Sequence, residues 1–503
     1  MFYLLGIDIG TQGTKAALFD QDMQIIASAF EKSNLITPRP GVVWQEPTEI
    51  YDSCLHTIRE VLDKSKVEPS QIRGIGIDSQ MAGIMGIDAD GNAVTVYDSW
   101  LDTRCGKYME EMKKTAGKEI IQITGGPVTY THGPKILWWK RERPDTYERI
   151  CKFVLPHAYV VGKMTGLKGK DAYFDYTCLQ YSGFGDNVNK CWSDELLQIF
   201  DIDKSKMAGI VSPFEIVGYI TQETAHVTGL KEGTPVAAGA GDTSASVFGS
   251  GMFDKNTMLD CAGTASVLCS IVDEFIPDTE YETMTMMRSP IDGLWMPLAY
   301  INGGGLCLRW FRDEFTGKEG ASYDELSEKA KDLPPGSEGL LFIPHFAGRV
   351  LPNNPDLKGS FMGLDWKHTK EHLFRAIMEG ISYEYHYYCS VLKKLYPREK
   401  FSILYTTGGG AKSQLFNSIK ADVLGVDVIS FEMSDTALIG SAVIAGMGCG
   451  IFSDYKKPIE KIKKESSRIS FKKENTDLYQ IYAQAYLQAI KAVAPVYKNQ
   501  IFK

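Results

Sequence analysis

Two segments about 250 residues apart share one pattern, and any fold proposed for the chain has to hold both copies. Residues 4–20 read Leu-Leu-Gly-Ile-Asp-Ile-Gly-Thr-Gln-Gly-Thr-Lys-Ala-Ala-Leu-Phe-Asp. Residues 258–273 read Met-Leu-Asp-Cys-Ala-Gly-Thr-Ala-Ser-Val-Leu-Cys-Ser-Ile-Val-Asp. Each is an apolar strand, a Gly-Thr turn and a second apolar strand, the signature of a buried hairpin. Glycine permits positive φ in the turn and brings bare backbone N–H groups close to an anion. The threonine hydroxyl adds a donor for a phosphate oxygen. Asp8 lies inside an apolar strand, where an unpaired carboxylate is costly, and a bound Mg²⁺ would justify it. The plainer reading is two unrelated hairpins with small-residue turns.

A chain of 503 residues is long enough for two or more domains, each with its own core. Its 44% hydrophobic and 23% charged residues are ordinary for a globular protein. The net charge of −9 and the lack of a Lys/Arg stripe argue against nucleic acid as a partner. The basic run 456–473 is interleaved with Glu460 and Glu465 and reads as a solvated surface. Ten cysteines show neither a CxxC pair nor zinc spacing, which fits reduced thiols in a cytoplasm. No apolar run is long enough to span a bilayer, and the first residues carry no signal-peptide pattern, so no membrane association is expected.

Strands are expected at 25–30 and 72–79, and helices at 47–64, 101–115 and 134–143. The pattern then restarts with a strand at 235–240, a helix at 242–249 and the second hairpin. Later come a strand at 401–407, the turn Gly408-Gly409-Gly410, and a helix at 413–424. Alternating strands and helices indicate α/β layers, and the repeated hairpin indicates two related halves dividing near residue 250. The expected domains are 1–250 and 251–503.

Asp242, in Gly-Ala-Gly-Asp-Thr-Ser-Ala, is the second notable carboxylate. Small flanking residues leave room for a substrate, and a carboxylate there can take the proton of an attacking hydroxyl. A helix N-cap is the other reading, and one residue can serve both. Gly408–Ser413 follows a strand and opens a helix, a place for a phosphate or nucleotide edge. Ala411 breaks the Walker A pattern, so a P-loop is not supported. Gly303-Gly304-Gly305 reads either as another ligand turn or as a packed helix start. Gln80-Met81 and the run Trp100 to Arg104 follow a strand and can read the hydroxyls of a small polar ligand. Asp102 and Arg104 also fit an exposed ion pair.

Together these motifs resemble the FGGY family of carbohydrate kinases, most closely its xylulose-kinase-like branch. The most specific match is Gly359-Ser360-Phe361-Met362-Gly363-Leu364 with His372-Leu373 and Ala376-Ile377-Met378-Glu379. That stretch resembles the family's second signature; the first is only partly kept, since Lys135 and Trp138 fit while His132 and Trp139 fall outside its usual residue choices. The resemblance implies an α/β fold of two actin-like (ribonuclease H-like) ATPase domains flanking a nucleotide cleft. It implies ATP and Mg²⁺ as cofactors, with Asp8 near the metal and Asp242 as the base. Gly10, Thr11, Thr14 and Lys15 would form the first phosphate loop and Gly263 and Thr264 the second. Gly305, Gly409, Gly410 and Gln414 would lie beside the nucleotide. Gln80, Met81, Asp102, Arg104, Tyr130 and Asp242 would face a small sugar or polyol. A pentulose such as D-xylulose is the expected acceptor; ribulose, gluconate, glycerol or an erythritol-like polyol are alternatives, as is an actin-like ATPase without a small acceptor. A homodimer is compatible with the resemblance. Ala82 stands where such xylulose kinases carry histidine, and Gly348-Arg349-Val350-Leu351-Pro352 lacks the usual glutamate; both leave the sugar's identity open.

Overall fold

The computed structural model describes residues 1–316, 320–499 and 501. Its first sheet is built around β1 (Tyr3–Ile9), β2 (Gly13–Phe19), β3 (Ile25–Lys32), β4 (Ile72–Ser79), β5 (Ile216–Tyr219) and β6 (Pro235–Ala237). They run in the order β5-β6-β4-β1-β2-β3, and the two-residue strand Ala240–Gly241 also pairs with β4. The second sheet contains β7 (Thr257–Ala262), β8 (Ser266–Ser270), β9 (Thr285–Arg288), β10 (Trp295–Ile301), β11 (Ile403–Thr407), β12 (Asp427–Phe431) and β13 (Glu465–Ile469). Its order is β9-β10-β8-β7-β11-β12-β13.

The repeat extends well beyond the hairpins. In each sheet the hairpin is antiparallel, a third strand adds antiparallel to its outer arm, and two parallel strands extend from its inner arm. An antiparallel strand, β5 or β13, closes that edge in both. The hairpins are also in matching register: Ile9 pairs with Thr14 where Ala262 pairs with Ser266. Four residues make the first turn and three the second.

The alternating arms of β1 and β2 are buried on both faces, as expected of a sheet covered on two sides. On one side lies α1 (Pro47–Ser65), whose inward Ile50, Cys54, Ile58 and Val61 follow helical spacing and join Leu5, Ile7 and Ile9. On the other side lies α6 (Thr436–Gly448), although its sequence belongs to the second half. Its Leu438, Ala442, Val443 and Ala445 join Leu4, Ala17 and Phe19. Three further helices flank the second sheet: α3 (Gly304–Phe315), α4 (Lys370–Leu395) and α5 (Gln414–Leu424).

Helix α2 (Asp242–Gly249) follows the first sheet as α6 follows the parallel strands of the second, and these two counterparts cross each other. The crossing needs glycine. A Cβ on Gly249 would sit 1.9 Å from the Thr436 carbonyl oxygen, and one on Gly440 would sit 2.0 Å from that of Ala245. Backbone therefore lies on backbone where the halves join.

The 101–115 expectation needs correction, because the helix there spans Gly106–Thr124. The Asp102 carboxylate accepts the N–H of Arg104 (3.0 Å) and of Val43 (2.8 Å), which ties the preceding segment to a neighbouring strand as a loop.

Candidate active site

Parallel pairing of β1 with β4 sets Asp8 directly beside Asp78 at the strand ends. Ala240–Gly241 pairs with Asp78 and Ser79, so the next residue, Asp242, emerges at the same place. It is the first residue of α2; Gly241 occupies the N-cap. The cap reading of Asp242 is thereby corrected. Its Oδ1 accepts only from Thr243, from the backbone N–H at 2.6 Å and the hydroxyl at 3.2 Å.

Three carboxyls thus lie on neighbouring strand and helix ends, within reach of one another's charge. Burial, reinforced by the charge of Asp8, pushes Asp242 up to about 7 against the opposing Thr243 donors. Burial also raises Asp8, against the lowering effects of Asp78 and Lys15. Asp78 is raised well above its ordinary value by burial and by the charges of Asp8 and Asp242. Ser441 Oγ of α6 donates to Asp78 Oδ2 at 2.6 Å, and a side-chain hydrogen bond links Asp78 to Asp8. Lys15 Nζ turns to Asp435 Oδ1 at 2.8 Å, joining the first hairpin to the N-terminus of α6.

A cavity of about 410 Å³ opens above Asp242. Gln80, Met81, Ala82, Trp100 and Tyr130 line one wall, and Tyr300, Asn302, Arg349 and Asn353 line the other. Thr11 also reaches this cavity. Arg349 is the single cation among its described lining residues, and Glu384 Oε1 accepts from its Nε at 2.7 Å. The buried Glu384 is lowered to about 2: the charge of Arg349, with help from His345, overcomes the cost of burial. The other wall is braced from behind. Lys135 Nζ donates to the Tyr130 carbonyl, and His132 Nε2 meets the Met81 carbonyl at 2.5 Å. Burial lowers His132 to about 3, so it is neutral there.

A larger cavity of about 1140 Å³ lies on the second half. Gly263, Thr264, Gly305, Gly409, Gly410 and Phe416 are among its lining residues. Gly305 serves both readings of its glycine turn. It lies in the first turn of α3 and lines the cavity, and a Cβ on it would meet the Gly263 carbonyl oxygen at 2.0 Å. Beneath these loops Asp260 accepts from Lys420 (2.6 Å), Tyr385 (2.7 Å) and Thr406 (3.3 Å), all of them buried.

Several sequence expectations are not met at these cavities. Thr14 is fully buried and hydrogen-bonds Ser53 at 2.7 Å, so its hydroxyl faces α1 rather than a phosphate. Asp102 and Arg104 lie behind the smaller cavity's lining. Arg104 pairs with Asp98 and Asp102, both at 2.8 Å, and lies over the rings of Trp44 and Trp138. Gln414 opens α5 exposed beside the larger cavity, whose lining there is Lys412, Ser413 and Phe416. Asp8, Gly10 and Lys15 belong to the first hairpin and line neither cavity.

Asp78 was missed, although it carries the same signal as Asp8, a carboxylate inside an apolar strand. Arg349 was noted only as a departure from a family pattern.

The N-terminal domain pattern of the FGGY family of carbohydrate kinases matches residues 3–249, and the family's C-terminal domain pattern matches residues 262–449. The chain belongs to this family. It is a carbohydrate kinase, with the α/β actin-like ATPase fold shared by its structural neighbours. The kinase is similar to the xylulose kinase of Bacillus subtilis (strain 168), 27% identical over 488 residues, covering 97% of this chain and 96% of the relative. It is 29% identical over 466 residues to the gluconokinase of the same organism, covering 90% of this chain and 89% of the relative. The ligand-bound xylulose kinase structure from Lactobacillus acidophilus superposes with a TM-score of 0.91 at 23% identity, covering 99% of both chains. Among the described residues of the kinase, no helix is long and apolar enough to cross a membrane.

Proposed function

We propose that this kinase transfers the γ-phosphoryl group of ATP to a hydroxyl of a neutral pentulose such as D-xylulose. The observation that carries the reading is Asp242, held near 7 at the base of a cavity whose walls are mostly uncharged polar and aromatic, with Arg349 the one cation among its described lining residues. A base of that strength is half ionised near neutral pH and can take a hydroxyl proton as the new O–P bond forms. The bond from γ-phosphorus to the β–γ bridging oxygen breaks and ADP leaves, so charge and protons balance. The backbone of Gly263, Gly409 and Gly410 and the Thr264 hydroxyl would hold the nucleotide, with Lys15 near the phosphates.

Among the described residues no three His, Cys, Asp or Glu side chains converge as a complete metal site. Asp8, with Asp78 beside it, would support Mg²⁺ next to the nucleotide phosphates. The surplus of carboxylates there fits a divalent cation, which would neutralise charge on the phosphates.

Gluconate is the competing acceptor, since relatives bear both names. A carboxylate substrate asks for a cation whose charge is not already balanced, and the Glu384 carboxylate pairs with that of the cavity's Arg349. That pairing favours a neutral sugar. ADP release measured across pentuloses, aldonates and polyols tests the reading. A kcat/KM for gluconate above that for every neutral sugar would overturn it.

A further inference from the structure

The threonines of the two hairpins do different work. Thr264 lines the larger cavity, and its hydroxyl makes no hydrogen bond within the described protein. Thr11, its counterpart, is fully engaged on the acceptor side. Its hydroxyl accepts the indole N–H of Trp100 at 2.9 Å and donates to Gln80 Oε1 at 3.2 Å. Gln80 Nε2 in turn donates to Gln45 Oε1 at 2.6 Å. A hydroxyl has one proton, so Thr11 cannot also donate to phosphate in this arrangement. Both of its partners line the acceptor cavity.

The backbone of the same turn is free to act. Gly10 N–H closes the turn on the Gly13 carbonyl at 3.1 Å, while the N–H groups of Thr11 and Gln12 have no partner among the described residues. Anything that fixes the Thr11 side chain therefore fixes where those two donors point. This turn is one residue longer than that of the second hairpin.

We propose that the Trp100–Thr11–Gln80 chain couples the two substrates: a sugar against Trp100 and Gln80 sets the Thr11 and Gln12 N–H groups for phosphoryl transfer. Thr11 is then a positioning residue, and its work is to favour transfer to sugar over transfer to water. This rests on the smaller cavity being the acceptor site. No residue beyond the chain itself is needed, and the second hairpin, with Thr264 unengaged, stays committed to the nucleotide whether or not sugar is bound.

The test uses Thr11→Val, which keeps shape and removes the hydroxyl, Thr11→Ser, which keeps the hydroxyl, and Trp100→Phe, which removes the indole donor and keeps a smaller aromatic ring. ATP consumed and sugar phosphate formed are measured together with D-xylulose and the other neutral sugars, with and without sugar. Wild type should consume about one ATP per sugar phosphate. Thr11→Val and Trp100→Phe should lose roughly tenfold in the ratio of sugar-stimulated to sugar-independent ATP turnover, and Thr11→Ser should keep the wild-type ratio. A merely structural role would lower both activities together and leave the ratio unchanged. An unchanged ratio in Thr11→Val and in Trp100→Phe, with wild type active, overturns the coupling alone. A wild type that phosphorylates none of the sugars overturns the acceptor reading and the coupling with it.

Discussion

Replacing Asp242 by Asn should make the free protein more stable and the kinase nearly inactive, with the stability gain depending on pH. The Asp242 carboxyl is raised from 3.8 to about 7, first by burial and then by Asp8. Below pH 3.8 it is neutral in both the folded and the unfolded chain and costs nothing. Between 3.8 and about 7 the folded chain keeps a proton that the unfolded chain has released, so stability falls as pH rises. Above 7 the full penalty of about 4 kcal/mol is present, and water in the open cleft reduces it to about 2–4 kcal/mol. Asn removes that penalty and keeps an oxygen for the Thr243 N–H. At ~1–2 °C per kcal/mol for a chain this long, the variant should melt roughly 2–8 °C above wild type at pH ~8.5, and by about half that margin at pH ~5.5. Calorimetry without nucleotide reads the melting gap, and coupled ADP release reads activity, which should fall about 10²- to 10⁴-fold. Wild-type kcat/KM should drop tenfold per pH unit below about 7, the range where Asp242 takes up its proton. A melting gap identical at both pH values would refute the burial argument, and near-wild-type turnover would remove Asp242 from the mechanism.

Three other substitutions probe the frame around the site. Gly440→Ala places a methyl 2.0 Å from the Ala245 carbonyl oxygen and should destabilise the chain by about 1–3 kcal/mol, read as a lower urea midpoint. Lys420→Met leaves Asp260 buried without its cation and should cost about 3–5 kcal/mol while raising KM for ATP, because Asp260 lies in the strand that leads into the second turn. Thr14→Val should lose about 1 kcal/mol of stability with KM for ATP unchanged; a large rise in that KM would return Thr14 to the phosphate loop.

Much of the frame was legible because it is local. Strand 72–79 and helix 242–249 follow from apolar runs and small residues, and the structure has Ile72–Ser79 and Asp242–Gly249. Helix α6 was not legible as part of the first sheet's cover. It is apolar nearly all round, and periodicity says that such a helix is buried without saying against what. The loop at 101–105 was misread for a related reason. Its fate is decided by a carboxylate that reaches Val43, a contact distant in sequence.

At the site, residue type was legible and direction was not. Thr11 and Thr14 look alike in the Gly-Thr-Gln-Gly-Thr run, yet one reaches the smaller cavity and the other faces α1. The pleat explains Thr14: Lys15 beside it points to the opposite face, where it meets Asp435. Thr11 lies in the turn, beyond the pleat, and its direction is set by Trp100 and Gln80, 89 and 69 residues away. The same limit applies to Asp102 and Arg104. Their types suited a sugar contact, but Asp98, Trp44 and Trp138 gather them into a support behind the wall. The two hairpins are therefore a repeat of backbone more than of chemistry. Their strands align pair for pair, while Asp8 is answered by Cys261 and the buried Asp260 serves Lys420 on the far face. On the proposed reading, a fold duplicated in this way would offer two loops for phosphate, and the side chains that differ between the copies would decide which loop also attends to the acceptor.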